Sequence, residues 1–146
     1  MRAEPQLVFG QDEAIAAWVA QRIPHMHGEG FGPCTAIGVV CASGKGAGIV
    51  YHDYQARYGN IQLSMAADSP LWATNGTIRA LLHYPFKQLR VWMVWTITPV
   101  ENERALKVNQ HIGFKRKPLV PHVFGPGKHA YISQMLYPRY VQLYGA

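Results

Sequence analysis

Along most of the chain, apolar and polar residues alternate with a period of two, and the alternation gives way to helical spacing in three places. Leu7, Val8 and Phe9 form a short strand candidate. Ile15, Trp18, Val19 and Arg22 then fall on one helical face with small alanines between them, and Pro24 ends that segment. Residues 25–33 are glycine-rich, which predicts an exposed, mobile loop able to border a site. Two β-like runs follow, residues 34–42 and 47–54, joined by the turn signal Ser43-Gly44-Lys45-Gly46; together they read as a hairpin. A third strand over residues 60–66 alternates cleanly, with Ile61, Leu63 and Met65 on one face and Asn60, Gln62 and Ser64 on the other.

Residues 68–77 are polar and turn-rich. Beyond them Ile78, Leu81, Leu82, Phe86 and Leu89 mark one face of a helix that Pro85 should kink or end early. Residues 91–98 are the most apolar run and predict a central strand covered on both faces. Thr98-Pro99-Val100-Glu101 reads as a capping box with proline at the first helical position. Ala105, Leu106, Asn109 and Ile112 form the buried side of that helix, and Gly113 closes it. A strand over 114–119 interrupted by Pro118, a Pro/Gly-rich loop over 121–128 and a last alternating strand over 129–137 complete the chain. The order β α loop β β β α β α β β predicts an α/β (α+β) fold. It has a mixed central sheet of six to seven strands with helices on both faces, in one domain spanning residues 1–146.

Composition narrows the partners. With 146 residues and 49% hydrophobic content, the chain carries enough apolar surface for one real core, whereas two domains would each be marginal. A net charge of +6 suits a partner bearing phosphates, be it a nucleotide cofactor, nucleic acid or an anionic membrane. The basic residues concentrate at Lys115-Arg116-Lys117 with Lys107, Lys128 and Arg139, and no nucleic-acid motif accompanies them, which ranks nucleic acid below a cofactor. Cys34 and Cys41 lie seven apart in one strand and so on opposite faces, which disfavours a mutual disulfide. His25, His27 and Cys34 match no closed zinc site, and no metal is expected. Gly44-Lys45-Gly46-Ala47-Gly48 lacks the ending of a phosphate loop and is a hairpin turn, and Trp92 and Trp95 are sheet-packing residues. Met1-Arg2-Ala3-Glu4-Pro5 has no apolar signal core and no run is long enough to span a bilayer. The expectation is a cytoplasmic protein with no membrane partner, in the host cytoplasm if a phage encodes it.

The segment from Asn102 through Ala105 to Gly113-Phe114 keeps an Asn-x-x-Ala start and a Gly-Phe end in register. With Tyr84-Pro85-Phe86 and the element order, it resembles the acyl-CoA N-acyltransferase (GNAT) superfamily, most of all short phage and prophage members. The resemblance implies acetyl-CoA or another acyl-CoA as cofactor and a small-molecule or protein amine as acceptor. It implies that the strands 60–66 and 91–98 splay apart, with Ser64, Met65 and Ala66 lining the acyl channel. It places the phosphate loop at Trp72, Ala73, Thr74, Asn75, Gly76 and Thr77, where unpaired helix N–H groups attract anions. Asn102 would brace the cofactor arm. The family's usual Arg/Gln and one glycine are absent from the loop, and Asn109 stands where a proton-donating tyrosine is common; an amide there can hydrogen-bond sulfur but is no acid. His52, Gln62, Ser64 and Asn109 are the catalytic candidates, with His52 or Gln62 as proton relay.

Two alternatives stay open on these residues. One is a catalytically degenerate GNAT-fold phage protein with a structural or virion role, and the other a nucleic-acid-modifying or nucleic-acid-binding relative. The enzymatic reading requires a wedge between the two strands and an unplugged helix tip at its mouth.

Overall fold

The computed structural model of the protein describes residues 4–145; Met1, Arg2 and Ala3, read above for a signal core, lie outside them. Seven strands form one sheet in the order β1-β2-β3-β4-β5-β7-β6. They are β1 (Gln6–Val8), β2 (Cys34–Val40), β3 (Gly46–Gln55), β4 (Asn60–Ala67), β5 (Met93–Pro99), β6 (Lys115–Val120) and β7 (Ala130–Leu136). Every neighbouring pair is antiparallel except β4 and β5. That parallel pair needs a crossover, which the helix α2 (Asn75–His83) supplies; a second crossover, through the helix after β5, carries the chain past the place of β7 to β6.

The alternation along the strands fills two unequal cores. On one face Ile37, Ile49, Tyr51, Ile61, Leu63 and Val94 pack against Ile78, Leu81 and Leu82 of α2 and against Tyr140 and Tyr144 of α4 (Tyr137–Tyr144). On the other, α1 (Asp12–Gln21) lays Ala16 and Val19 on Ala36 and Val50, with Ala66 alongside. Gly48 permits that seat, since a Cβ there would stand 2.6 Å from Val19 Cγ2. Helix α3 (Glu103–Ile112) ends at Gly113, whose φ of +118° no branched residue adopts readily and whose Cβ would strike Leu143.

Three expectations change. The strand 91–98 is not fully covered on both faces: β5 starts at Met93 and alternates buried with half-buried residues, and α1 packs mainly on β2, β3 and β4. Thr98 and Pro99 do not start a helix, because they continue the ladder opposite Tyr131 and Ala130; the cap of α3 is Asn102, whose side-chain oxygen accepts from Ala105 N–H at 3.1 Å. The C-terminal helix α4 was not foreseen. Its signal is Tyr137, Tyr140 and Tyr144 at helical spacing with Pro138 in the first turn, and Tyr140 stacks on Phe86 with ring centroids 4.8 Å apart.

Two proline effects agree with the sequence. Pro85 does end the α-helical hydrogen bonding: the chain continues as a π-helical turn over Tyr84–Gln88, with Leu89 N–H donating to Tyr84 C=O. Pro118 is tolerated because β6 is an edge strand with a bulge between Arg116 and Leu119.

Candidate active site

A fork opens between β4 and β5. The two strands pair only at Asn60–Met93, Ile61–Val94 and Gln62–Trp95, and from Leu63 and Thr96 onward they part. Past that point the backbone groups on the β5-facing edge of β4 have no strand partner. Such groups must be satisfied by water or by a bound molecule. Ser64, Met65 and Ala66 lie on this free stretch and are half-buried.

Ser64 does not stand alone. On β3, His52 is 6% exposed, and its Nε2 lies 2.8 Å from Ser64 Oγ. Its Nδ1 lies 2.5 Å from Asp53 Oδ2. The chain achieves this by a bulge between His52 and Gln55 that puts Asp53 at φ +51°, left-handed backbone that costs about 1 kcal/mol or more for a residue other than glycine. In an unbroken strand Asp53 would point to the opposite face from His52; the bulge turns its carboxylate back. Phe31, from the loop after α1, covers the imidazole with ring centroids 4.8 Å apart.

Burial lowers the His52 pKa below the ordinary imidazole value, and the hydrogen bond and charge of Asp53 pull the other way. The buried ring is therefore neutral at pH 7, with Nδ1–H donating to Asp53 and Nε2 free to accept the Ser64 proton. In register, His52 lies between Cys34 on β2 and Gln62 on β4. The Cys34 thiol is held protonated, because burial and the Asp12 carboxylate push its pKa up.

At the other end of the gap, Trp72 is buried and anchors the loop before α2. Ala73 C=O faces His111 Nε2 of α3 at 3.0 Å. Thr74 caps α2, its hydroxyl accepting from Thr77 N–H at 3.2 Å, while Asn75 and Gly76 are exposed. A carboxylate already sits at this tip. Glu4 Oε2 accepts from Thr74 Oγ1 at 2.7 Å and from Thr77 Oγ1 at 3.5 Å, and it lies 3.6 Å from where a Gly76 Cβ would be. Glu4 is exposed, and its carboxylate accepts from the Thr74 and Thr77 hydroxyls, not from backbone N–H groups, so a side chain occupies the tip that the enzymatic reading requires to be open.

The remaining candidates belong to α3. Asn102 caps α3. Asn109 is buried, and its Nδ2 donates to Thr98 Oγ1 at 3.1 Å, tying α3 to β5. Sequence reading missed Asp53, Phe31 and Glu4. Asp53 adjoins His52 in sequence, but only the bulge makes the pair useful; Phe31 and Glu4 arrive from distant segments and leave no local signal. The loop after α1 also reaches the loop between β6 and β7, where His25 stacks on Phe124 at 4.2 Å. Among the described residues no group of three metal-type ligands forms, and no helix is long and apolar enough to cross a membrane.

No family model matches this sequence, and no curated protein matches it. Solved structures do. A mutant form of the spermidine N-acetyltransferase SpeG from Vibrio cholerae superposes with a TM-score of 0.70 at 12% identity, covering 94% of this chain and 96% of that one. A chimera of that enzyme with hSSAT gives a TM-score of 0.62 at 15% identity, over 74% and 69% of the two chains. A probable acetyltransferase gives 0.59 at 17% identity, over 72% and 63%. The chain has the GNAT acetyltransferase fold that the sequence resemblance implies.

Proposed function

We propose that the protein is a CoA-dependent N-acyltransferase that moves an acetyl or similar acyl group to an amine. One observation carries this reading. The β4–β5 ladder stops after three residue pairs, and a serine–histidine–aspartate network stands on the strand that leaves it.

The residues present fit an acyl-CoA. The free edge of β4 is an unpaired strand edge for the cofactor's amide-bearing arm, whereas the Glu4 carboxylate occupies the α2 tip and a phosphate group would have to displace it. The thioester supplies an activated acyl carbon. Backbone N–H groups of residues 63–67 that face the gap would be the donors available to its carbonyl oxygen. Neutral His52 takes the amine proton through Ser64 Oγ, and Asp53 fixes the tautomer and offsets the imidazolium charge. Gln62, half-buried on the same face, orients the incoming amine. Asn109 is committed to Thr98 and supplies no proton.

Because solved neighbours include spermidine N-acetyltransferases, polyamines are the first acceptors to try. Calorimetry with acetyl-CoA, followed by a thiol-release assay with spermidine and a panel of amines, tests the reading. Binding and amine-dependent thiol release support it. Absence of both heat and thermal shift at millimolar acetyl-CoA overturns it. That outcome supports the second reading, a GNAT fold kept as a structural or virion component, which the Glu4 carboxylate at the α2 tip favours.

A further inference from the structure

We propose that a cleft between the outer flank of α2 and the β1–β2 edge of the sheet binds a small phosphate monoester with an apolar body, its phosphate held by Arg79, His83, Lys87 and the Tyr140 hydroxyl. The cleft has a volume of about 750 Å³, and β3 and β4 lie between it and the fork, so it is separate from the proposed acyl site. The inference does not rest on the acyltransferase reading.

Three observations carry it. First, Tyr140 is 1% exposed and lines the cleft, yet its hydroxyl has no hydrogen-bond partner among the described residues. The other buried tyrosines are satisfied: Tyr51 donates to Leu81 C=O at 2.7 Å and Tyr144 to Ile112 C=O at 2.5 Å. A buried phenol ordinarily finds a partner, so this one requires an acceptor that comes from the cleft. Second, Arg79 and His83 lie one turn apart on the same flank of α2, about 6 Å along its axis, and Lys87 continues the row on the π-helical turn. A solvated helix face ordinarily mixes both signs of charge, whereas α2 contains no acidic residue. Among the described residues Arg79 and His83 make no ion pair. Lys87 is held in place, its Nζ donating to Tyr137 Oη at 2.9 Å, which leaves two of its three N–H groups for a ligand. Third, the row converges on the tyrosine. Burial raises the Tyr140 pKa and keeps its hydroxyl a donor, while Lys87 and Arg79 pull that pKa down, so both charges act at the same oxygen.

The chemistry of these donors selects the ligand. Arg79 and Lys87 supply two positive charges, and a phosphate monoester carries nearly two negative ones near neutral pH. Its three terminal oxygens match a guanidinium fork, an ammonium and a hydroxyl. A carboxylate offers the same set only one charge and two oxygens. The rest of the wall includes Leu7, Ile37 and Ala80, which are apolar and suit a hydrocarbon or aromatic body. Asp12, the one carboxylate lining the cleft, stands on the β2 side and commits Oδ1 to Ala36 N–H at 2.9 Å, so the phosphate belongs at the α2 wall.

The test uses the full chain, isotope-labelled and titrated with phenyl phosphate while backbone amide shifts are followed by NMR. The expected result is saturable shifts at residues 79–88 and at residues 7–9 and 35–37. Phenyl phosphate should bind at least about fivefold more tightly than inorganic phosphate, which lacks the apolar body, and more tightly than benzoate. Arg79→Ala weakens binding about tenfold or more, and Tyr140→Phe, which keeps the ring stacked on Phe86, about three- to tenfold. Lys115→Ala, on the far edge strand β6, leaves it unchanged. Mapping on the wild type decides the matter even where a variant fails to fold. No saturable shift at millimolar phenyl phosphate overturns the proposal. So do shifts spread over all the basic residues, equal affinity for inorganic phosphate or benzoate, or an equal loss in Lys115→Ala. Displacement of phenyl phosphate by acetyl-CoA overturns the cleft as a site of its own. If phenyl phosphate binds there and acetyl-CoA binds nowhere, the cleft stands and the acyltransferase reading falls; if acetyl-CoA binds and phenyl phosphate does not, the reverse holds.

Discussion

The two ends of the β4–β5 gap are built on different principles. At the fork the chemistry resides in side chains: Ser64, His52 and Asp53 from two strands, covered by Phe31 from a loop. At the α2 tip the proposed phosphate site would rely on backbone N–H groups, and the side chains there, Thr74, Asn75 and Gly76, depart from the loop pattern that the sequence resemblance implies. A backbone site tolerates such departures because a helix end attracts anions whatever residues write it. A side-chain site does not, because proton transfer requires particular atoms within hydrogen-bond reach. The difference teaches that changes at the fork should alter rate, whereas changes at the tip should alter affinity or stability.

The largest effect belongs to the fork. His52→Gln should lower the amine-acetylation rate by about 100- to 10,000-fold while calorimetry shows the same acetyl-CoA affinity. An affinity that falls in step with the rate breaks the comparison. The wild-type rate should decline as pH falls below the ordinary imidazole value of about 6.5. Stability follows the same sign. Burial lowers the folded-state pKa of both His52 and His25, so their contribution is whole above the unfolded value and is lost as pH falls toward the folded one. Urea midpoints should drop across that window, and a flat profile would contradict the burial of the two rings.

Next comes the anchor of the tip. Trp72 is 3% exposed in the main core, and Trp72→Ala should cost about 3–5 kcal/mol of unfolding free energy by urea titration. Asn102→Ala sharpens the contrast further. As the α3 cap it should cost about 1 kcal/mol and leave acetyl-CoA affinity unchanged, while an affinity loss at constant stability would restore Asn102 as a cofactor brace. The smallest effect is at Glu4. Removing its charge with Glu4→Gln should tighten acetyl-CoA binding by about two- to fivefold, the scale of a surface charge at a helix end. Weaker binding would mean that Glu4 supports the loop and does not compete for it.

Periodicity alone reported every strand and the first three helices, because apolar faces of period 2.0 and 3.6 are properties of residue order. It also placed Ser64 and Gln62 on the polar face of β4. The same reasoning failed where the local pattern was outvoted. Thr98 and Pro99 read as a helix cap, but the β7 ladder claims them, and the apolar run at 91–98 gave no hint that alternate residues of β5 stay only half-buried.

What the sequence determined by itself is the element order and the inventory of groups: a histidine followed by an aspartate on one strand and a serine on the next. What only the tertiary structure decided is their meeting. The bulge at Asp53 reverses the side that alternation would assign, the β4–β5 ladder ends just before Ser64, and Glu4 closes on the tip from some seventy residues away. Those are long-range placements. They depend on how strands are paired and bent in space, which the spacing of residues along the chain does not encode.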